Sequence, residues 1–255
     1  MWSGPRTLST ALMRSFENRR DTIVVDEPLY AFYLAETGIE HPARDEIIAS
    51  MPADWRVVVD ELTSGPLPAG RTVYYQKHMT HHLLPAVDRR KLAGLRHAFL
   101  IRDPRRLLAS YAKVRHTPTL ADLGLEQQVE IYRRFGGPVI DAADVTARPR
   151  WMLEALCAAL RIPFDEAMLA WPPGPRDTDG VWAKHWYARV WASTGFDQDR
   201  VSGRAEGTAP VPVPVPVSAS GSGSASAELP TAALEALAAR CQPYYDELSA
   251  RRLRP

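Results

Sequence analysis

The strongest constraint on the fold is an alternation. Short runs rich in β-branched and aromatic residues lie at 22–26, 72–76, 97–101 and, more briefly, 138–141. Helical patterns follow Ser9, Pro104, Glu126 and Arg150. Apolar strands joined through helices imply a sheet that is mostly parallel and covered on both faces. The expected class is therefore α/β, a three-layer α/β/α fold with a mostly parallel sheet. Ligands of such sheets sit at the carboxyl ends of the strands, beside a switch in strand order. The polar residues that follow each strand are thus the candidates for chemistry.

Composition sets the limits. A chain of 255 residues with 45% hydrophobic residues can fill one large core or two small ones. Residues 1–202 read as the main domain. Residues 203–228 hold Pro-Val repeats and then Ser, Gly and Ala, which bury no core, so a flexible linker is expected. In 229–255, Leu234, Leu237, Cys241, Tyr244 and Leu248 recur at helical spacing and predict an amphipathic C-terminal helix packed on the main domain.

The formal net charge of +1 gives no whole-molecule field for nucleic acid or an anionic membrane, so any anion site is local. Cys157 and Cys241 form no CxxC pair and no ligand spacing, which predicts buried thiols rather than a disulfide or zinc. No signal peptide or bilayer-length apolar run is present, and the expected location is cytoplasmic. Lysine occurs only at 77, 91, 113 and 184, a bias that with abundant Ala and Pro points to a GC-rich bacterial gene. No pattern speaks to oligomeric state.

The first candidate motif is Gly4-Pro5-Arg6-Thr7-Leu8-Ser9-Thr10, running into a helix. A Gly/Pro turn at a helix start presents free N–H groups and the positive end of the helix dipole. Arg6 adds a planar fork of donors, and Ser9 and Thr10 add hydroxyls. An ATP-binding GxxxxGK[ST] loop would need a Lys and a hydroxyl for magnesium, and both are missing. The second motif is Arg102-Asp103-Pro104 with Ser110 about two turns into the helix that Pro104 opens, so both can reach one phosphate.

Together these two motifs resemble the sulfotransferases that use 3′-phosphoadenosine-5′-phosphosulfate (PAPS), most closely a bacterial group with Trp-Ser-Gly-Pro-Arg at its start. The resemblance spans about residues 2–200. It implies a P-loop-type fold with no metal requirement. It also implies PAPS as co-substrate, held by the 4–10 loop at the phosphosulfate and by Arg102 and Ser110 at the 3′-phosphate. Two departures stand out: Leu8 replaces the usual Gly of the loop, and the strand before the loop is reduced to Met1-Trp2.

The acids Asp26 and Glu27 follow a strand and face the expected cleft. By the same resemblance Glu27 matches a base that takes the acceptor proton, with Asp26 the weaker candidate. Lys77 matches the lysine that steadies the leaving oxygen. The histidine role does not transfer by position, so His78, His81 and His82 all stay open, His81 and His82 as rival bases and His78 at the acceptor. Tyr30, Phe32, Tyr33 and His41 follow Glu27 and are expected to line an acceptor pocket. A late aromatic segment with Lys184 and Trp186 reads as a lid or acceptor wall, with Lys184 toward the cofactor and Trp186 toward the acceptor.

The expected function is transfer of a sulfuryl group to a hydroxyl or amine of a small organic acceptor. The rivals are a phosphotransferase on the same fold and a non-catalytic nucleotide-binding protein.

Overall fold

The computed structural model describes residues 1–111, 118–196 and 231–254. The stretch expected to be a linker lies outside the described residues. The strands are β1 (Trp2–Ser3), β2 (Thr22–Asp26), β3 (Val73–Met79), β4 (Phe99–Ile101) and β5 (Val139–Asp141). They form one five-stranded sheet, β2-β3-β1-β4-β5, with every pairing parallel. The first helices are α1 (Ser9–Glu17), α2 (Tyr30–Thr37), α3 (Arg44–Ser50) and α4 (Trp55–Ser64). Then come α5 (Pro104–Tyr111), α6 (Leu120–Leu123), α7 (Leu125–Phe135), α8 (Ala142–Ala147) and α9 (Pro149–Ala159). Last are α10 (Ala183–Trp186), α11 (Ala188–Trp191) and α12 (Thr231–Ser249).

The chain leaves β1 for the edge strand β2, returns through β3, and crosses to β4 on the other side of β1. The strand order therefore reverses beside β1, and the 4–8 loop leaves the sheet at that switch point. The strand that the sequence reduces to a remnant is present and central. Trp2 pairs with His78 on one side and Phe99 on the other.

Side chains alternate across the sheet as the pleat demands. Tyr75, Leu100 and Ile140 pack against α1, α8 and α9. Trp2, Phe99, Ile101 and Val139 pack against α4, α7 and the end of α12. These two cores make the three-layer α/β/α arrangement. Helix α12 also covers α5 through Leu237, Ala238 and Cys241 against Leu107 and Leu108. It is tied to the sheet edge where the Leu253 N–H donates to the Val139 carbonyl at 2.8 Å and the Tyr245 hydroxyl donates to Asp141 at 2.7 Å.

So short a central strand needs outside support, and polar side chains provide it. Gln128 of α7 donates to the carbonyls of Trp2 and Leu100 at 3.1 and 3.0 Å. Trp2 Nε1 donates to His97 Nδ1 at 2.9 Å, and His97 Nε2 donates to the Leu92 carbonyl at 3.0 Å. Both cysteines are free and buried, with burial pushing each thiol up to about 11. Among the described residues no helix is long and apolar enough to cross a membrane, and no His/Cys/Asp/Glu group is arranged to hold a metal.

Candidate active site

The loop after β1 is built tightly. A Cβ on Gly4 would lie 2.6 Å from the Leu123 carbonyl oxygen, so only glycine lets the two backbones approach. Thr7 closes the turn by donating to the Gly4 carbonyl at 2.8 Å. Arg6 and Leu8 both take left-handed backbone, φ 59° and 78°. Leu8 caps α1 without any side-chain hydrogen bond. Among the described residues the N–H groups of Ser9, Thr10 and Ala11 have no backbone acceptor, as the first turn of a helix leaves them, and such groups suit an anion.

The second motif folds onto this loop. Arg102 donates to the Arg6 carbonyl at 2.7 Å, and Arg6 Nε donates to the Ser110 hydroxyl at 3.2 Å. Arg6 thus meets two residues that lie 96 and 104 positions later in the chain, at the start of α1. Burial lowers the pKa of Arg6, and the charges of Arg189 and Arg102 lower it further. Burial likewise lowers Arg102, with Arg106 and Arg189 adding to it. No salt bridge joins Arg6, Arg102 or Arg189 to a carboxylate among the described residues. Asp141 and Asp103 offset part of this at Arg102 from beyond salt-bridge distance, and a multiply charged anion would relieve the remaining crowding of cations.

Arg189, on α11, is a member that the sequence reading missed. It lies in an irregular, aromatic-rich segment with no motif spacing, and its only signal is a basic residue within the expected lid.

Beside the arginines, at the ends of β2 and β3, sits a cluster of opposite character. Asp26 and Lys77 are register partners in the sheet. Lys77 is fully buried and donates to Asp26 Oδ1 at 2.7 Å, Glu27 Oε1 at 2.7 Å and the Tyr187 hydroxyl at 2.9 Å. The Tyr187 hydroxyl in turn donates to Asp26 Oδ2. An ammonium has three donors, and Lys77 has spent all of them. Burial works against its charge, but Asp26, Glu27 and Tyr187 outweigh it and hold its pKa well above the usual lysine value. Burial raises the proton affinity of Glu27, Lys77 lowers it and Asp26 raises it, with a net upward shift. Glu27 also has left-handed backbone, φ 44°. Strain of that kind collects at functional sites.

Glu27 Oε2 makes no hydrogen bond to the side chains named above and faces His82 Nδ1 at 3.9 Å among the described residues. That nitrogen is buried and also lacks a partner. Burial first, then the charges of His81 and Lys77, hold His82 well below the ordinary histidine pKa, so the imidazole is neutral. Two polar atoms at this separation fit an oxygen placed between them rather than a direct bond.

Tyr30 and Tyr33 stack on the His82 ring at 4.5 and 4.7 Å, and His81 meets it edge-on at 4.4 Å. The Tyr30 hydroxyl is 2.8 Å from His41 Nε2, and Trp186 lies 6.0 Å from the His41 ring. Phe32 instead turns into the sheet core.

Two expected members stand elsewhere. His78 is stacked on Trp2 at 4.4 Å and hydrogen-bonded to Gln76 at 3.1 Å within the core. Alternation along β3 accounts for this, because it sends His78 to the side opposite Lys77. Lys184 is exposed and bound to the Glu46 carboxylate at 2.7 and 2.9 Å, apart from the Arg6–Arg102–Arg189 group. Tyr111 links the two clusters, since it acts electrostatically on both Arg6 and Tyr30.

Comparison with known proteins bears directly on this arrangement. Residues 1–207 match the family model described as a sulfotransferase domain. Two curated proteins of Arabidopsis thaliana are similar: branched-chain-amino-acid aminotransferase-like protein 1, 42% identical over 205 residues, and protein 2, 40% identical over 201. The matches cover 78% and 76% of this chain but only 36% and 35% of those proteins, so the chain spans about a third of their length.

Among solved structures, the sulfotransferase domain from the curacin biosynthetic pathway superposes with a TM-score of 0.54 at 14% identity, over 100% of this chain and 97% of that one. The sulfotransferase domain of the Synechococcus PCC 7002 olefin synthase gives 0.50 at 17% identity, over 84% and 88%. At these identities the likeness is one of fold. By the family match over 1–207, the chain belongs to the sulfotransferase domain family.

Proposed function

We propose that this chain moves a sulfuryl group from PAPS to a hydroxyl or amine of a small organic acceptor. The observation that carries the reading is the meeting of Arg6, Arg102 and Ser110 over an uncapped helix start. Arg102 and Ser110 would hold the 3′-phosphate, and the open amides of Ser9, Thr10 and Ala11 with Arg6 would hold the phosphosulfate. Arg189 extends the same positive surface from the late segment. PAPS supplies the activated S–O bond. Glu27 Oε2 takes the acceptor proton as the acceptor oxygen or nitrogen bonds to sulfur and the bond from sulfur to the phosphate oxygen breaks. His82, kept neutral, orients the acceptor atom from the other side.

Lys77 enters differently from the expectation that it steadies the leaving oxygen. Its three donors are committed to Asp26, Glu27 and Tyr187. Charge on the leaving phosphate therefore falls to Arg6, Arg189 and the loop amides, whose preorganisation is the larger catalytic term in such sites. A phosphotransferase reading is less well supported, because the loop has no Lys-[Ser/Thr] pair to organise magnesium.

The aminotransferase-like name of the plant relatives belongs to proteins of which the matched region is only about a third. A pyridoxal enzyme needs a lysine free to form a Schiff base. Among the described lysines, Lys77 is locked between carboxylates, Lys91 pairs with Asp60 and Lys184 with Glu46.

Calorimetry with adenosine 3′,5′-bisphosphate and 5′-AMP tests the reading. Each charge-assisted hydrogen bond is worth roughly 1.5–3 kcal/mol. Arg102→Ala is expected to weaken the bisphosphate at least about tenfold more than 5′-AMP. Equal losses for both ligands would remove Arg102 from the 3′-phosphate site.

A further inference from the structure

The acid cluster contains a residue that neither motif predicts. Tyr187 sits between α10 and α11, fully inside the protein, and its hydroxyl occupies the centre of the cluster. It accepts from Lys77 at 2.9 Å and from Trp182 Nε1 at 3.3 Å, and it donates to Asp26 Oδ2. With this hydroxyl in place, the two neighbouring carboxylates become unequal. Both oxygens of Asp26 are bound, Oδ1 by Lys77 and Oδ2 by Tyr187. Glu27 has one oxygen on Lys77 and the other open toward His82.

We infer that Tyr187 is a positioning residue for proton transfer: its hydroxyl fixes Asp26 as the counter-ion of Lys77 and so leaves Glu27 as the carboxylate with an oxygen free for the acceptor. Adjacent acids cannot both serve as base, and without a third group nothing in the Asp26–Lys77–Glu27 triangle distinguishes them. The inference rests on the reading of the site as one for sulfuryl transfer.

It also explains why the late segment matters. Tyr187 reaches the acids, while the charge of the exposed Arg189, two residues on, acts on Arg6 and Arg102, so one segment bears on both halves of the site. The segment is itself anchored to α1, where Arg14 binds Asp179 and Asp179 accepts from Trp191 Nε1 at 2.9 Å.

The groups that face Glu27 are Asp26 on β2, Lys77 on β3, His82 after β3, Tyr30 on α2, and Tyr187. Tyr187→Phe keeps the ring and removes the hydroxyl. Asp26 Oδ2 then has no donor, Lys77 leans toward Asp26, and Glu27 loses part of the ammonium that holds its proton affinity down. The carboxyl titration of Glu27, followed by 13C NMR, is expected to rise by about one pH unit, the worth of one charge-assisted bond. The acid limb of sulfate release from PAPS, with water as acceptor, should rise with it. On the acid limb, at pH values below both titrations, turnover should fall about tenfold, with affinity for adenosine 3′,5′-bisphosphate unchanged.

Where Tyr187→Phe loses the native near-ultraviolet circular dichroism, 2,3-difluorotyrosine at position 187 is the second probe. Its more acidic phenol donates more strongly and should move the Glu27 titration downward. An unmoved Glu27 titration in either folded variant overturns the inference, as does loss of stability and bisphosphate affinity with no shift of the acid limb. A shifted titration in a protein whose wild type passes sulfate neither to water nor to any of a panel of small alcohols, phenols and amines rejects the sulfotransferase reading instead and leaves Tyr187 as the group that sorts the two carboxylates.

Discussion

Leu8 adopts a conformation that its side chain resists. At φ 78° its Cβ crowds the following carbonyl, a cost of roughly 1–2 kcal/mol for a residue other than glycine. The conformation persists because it turns the chain into α1 and leaves the first-turn amides free for the proposed phosphosulfate site. Leu8 recovers part of the cost by packing, half-buried, on the core beneath α1. Leu8→Gly therefore trades lost packing against relieved strain and should leave the melting temperature within about 3 °C of wild type. Leu8→Val keeps more apolar surface but puts a β-branched residue at positive φ. It should be less stable than Leu8→Gly by at least about 1 kcal/mol in urea unfolding. A valine variant as stable as the glycine variant would mean that this backbone strain is not there.

At the scale of elements, β1 shows what a sequence pattern conveys and what it hides. The runs at 22–26, 72–76, 97–101 and 138–141 announce β2 to β5 through their β-branched and aromatic residues, although β3 continues to Met79. Two residues, Trp2 and Ser3, carry no periodicity at all, yet they form the middle strand because their neighbours on both sides are already in register. Likewise Arg6, Arg102 and Ser110 are legible because their spacing around a strand end and a helix start is local. Tyr187 and Arg189 are not legible, because a loop-rich segment places them by tertiary packing. His78 misleads for a related reason, since adjacency to Lys77 in a strand means opposite faces.

The support of β1 also sets a pH limit. His97 accepts from Trp2 and donates to Leu92, so it is fixed as a neutral ring, and burial lowers its pKa from 6.5 to about 4. Below pH 6.5 the unfolded chain binds a proton here that the folded chain refuses, until about pH 4. The stabilisation is therefore complete above that window and is lost as the pH falls through it. Thermal melts followed by tryptophan emission should show a shallower pH dependence in His97→Gln than in wild type between pH 7 and 4.5. Parallel curves would contradict this role for His97.

The molecule as a whole is a sheet clamped on both faces, with the last helix closing one of them. Leu248 of α12 is fully buried against the core that holds Trp2, Phe99 and Val139, at the end of the fold remote from the anion loop. Leu248→Ala should cost about 2–5 kcal/mol of stability in urea unfolding. Affinity for adenosine 3′,5′-bisphosphate should stay within about twofold of wild type, because distant sites act independently. Loss of affinity without loss of stability would instead tie α12 to the site. The fold brings Arg6, Arg102 and Ser110 together at the start of α1 and Asp26, Glu27, Lys77 and Tyr187 together at the ends of β2 and β3.

That juxtaposition is tested most directly by following the sulfur atom. PAPS labelled with 35S, incubated with the wild-type chain and a panel of small alcohols, phenols and amines, should pass its label to at least one acceptor without added magnesium. Glu27→Gln should lower that turnover by roughly 10²–10⁴, while adenosine 3′,5′-bisphosphate binds as tightly as before or more tightly. Label that stays on PAPS with every acceptor, or a Glu27→Gln chain that transfers it at the wild-type rate, would contradict the account.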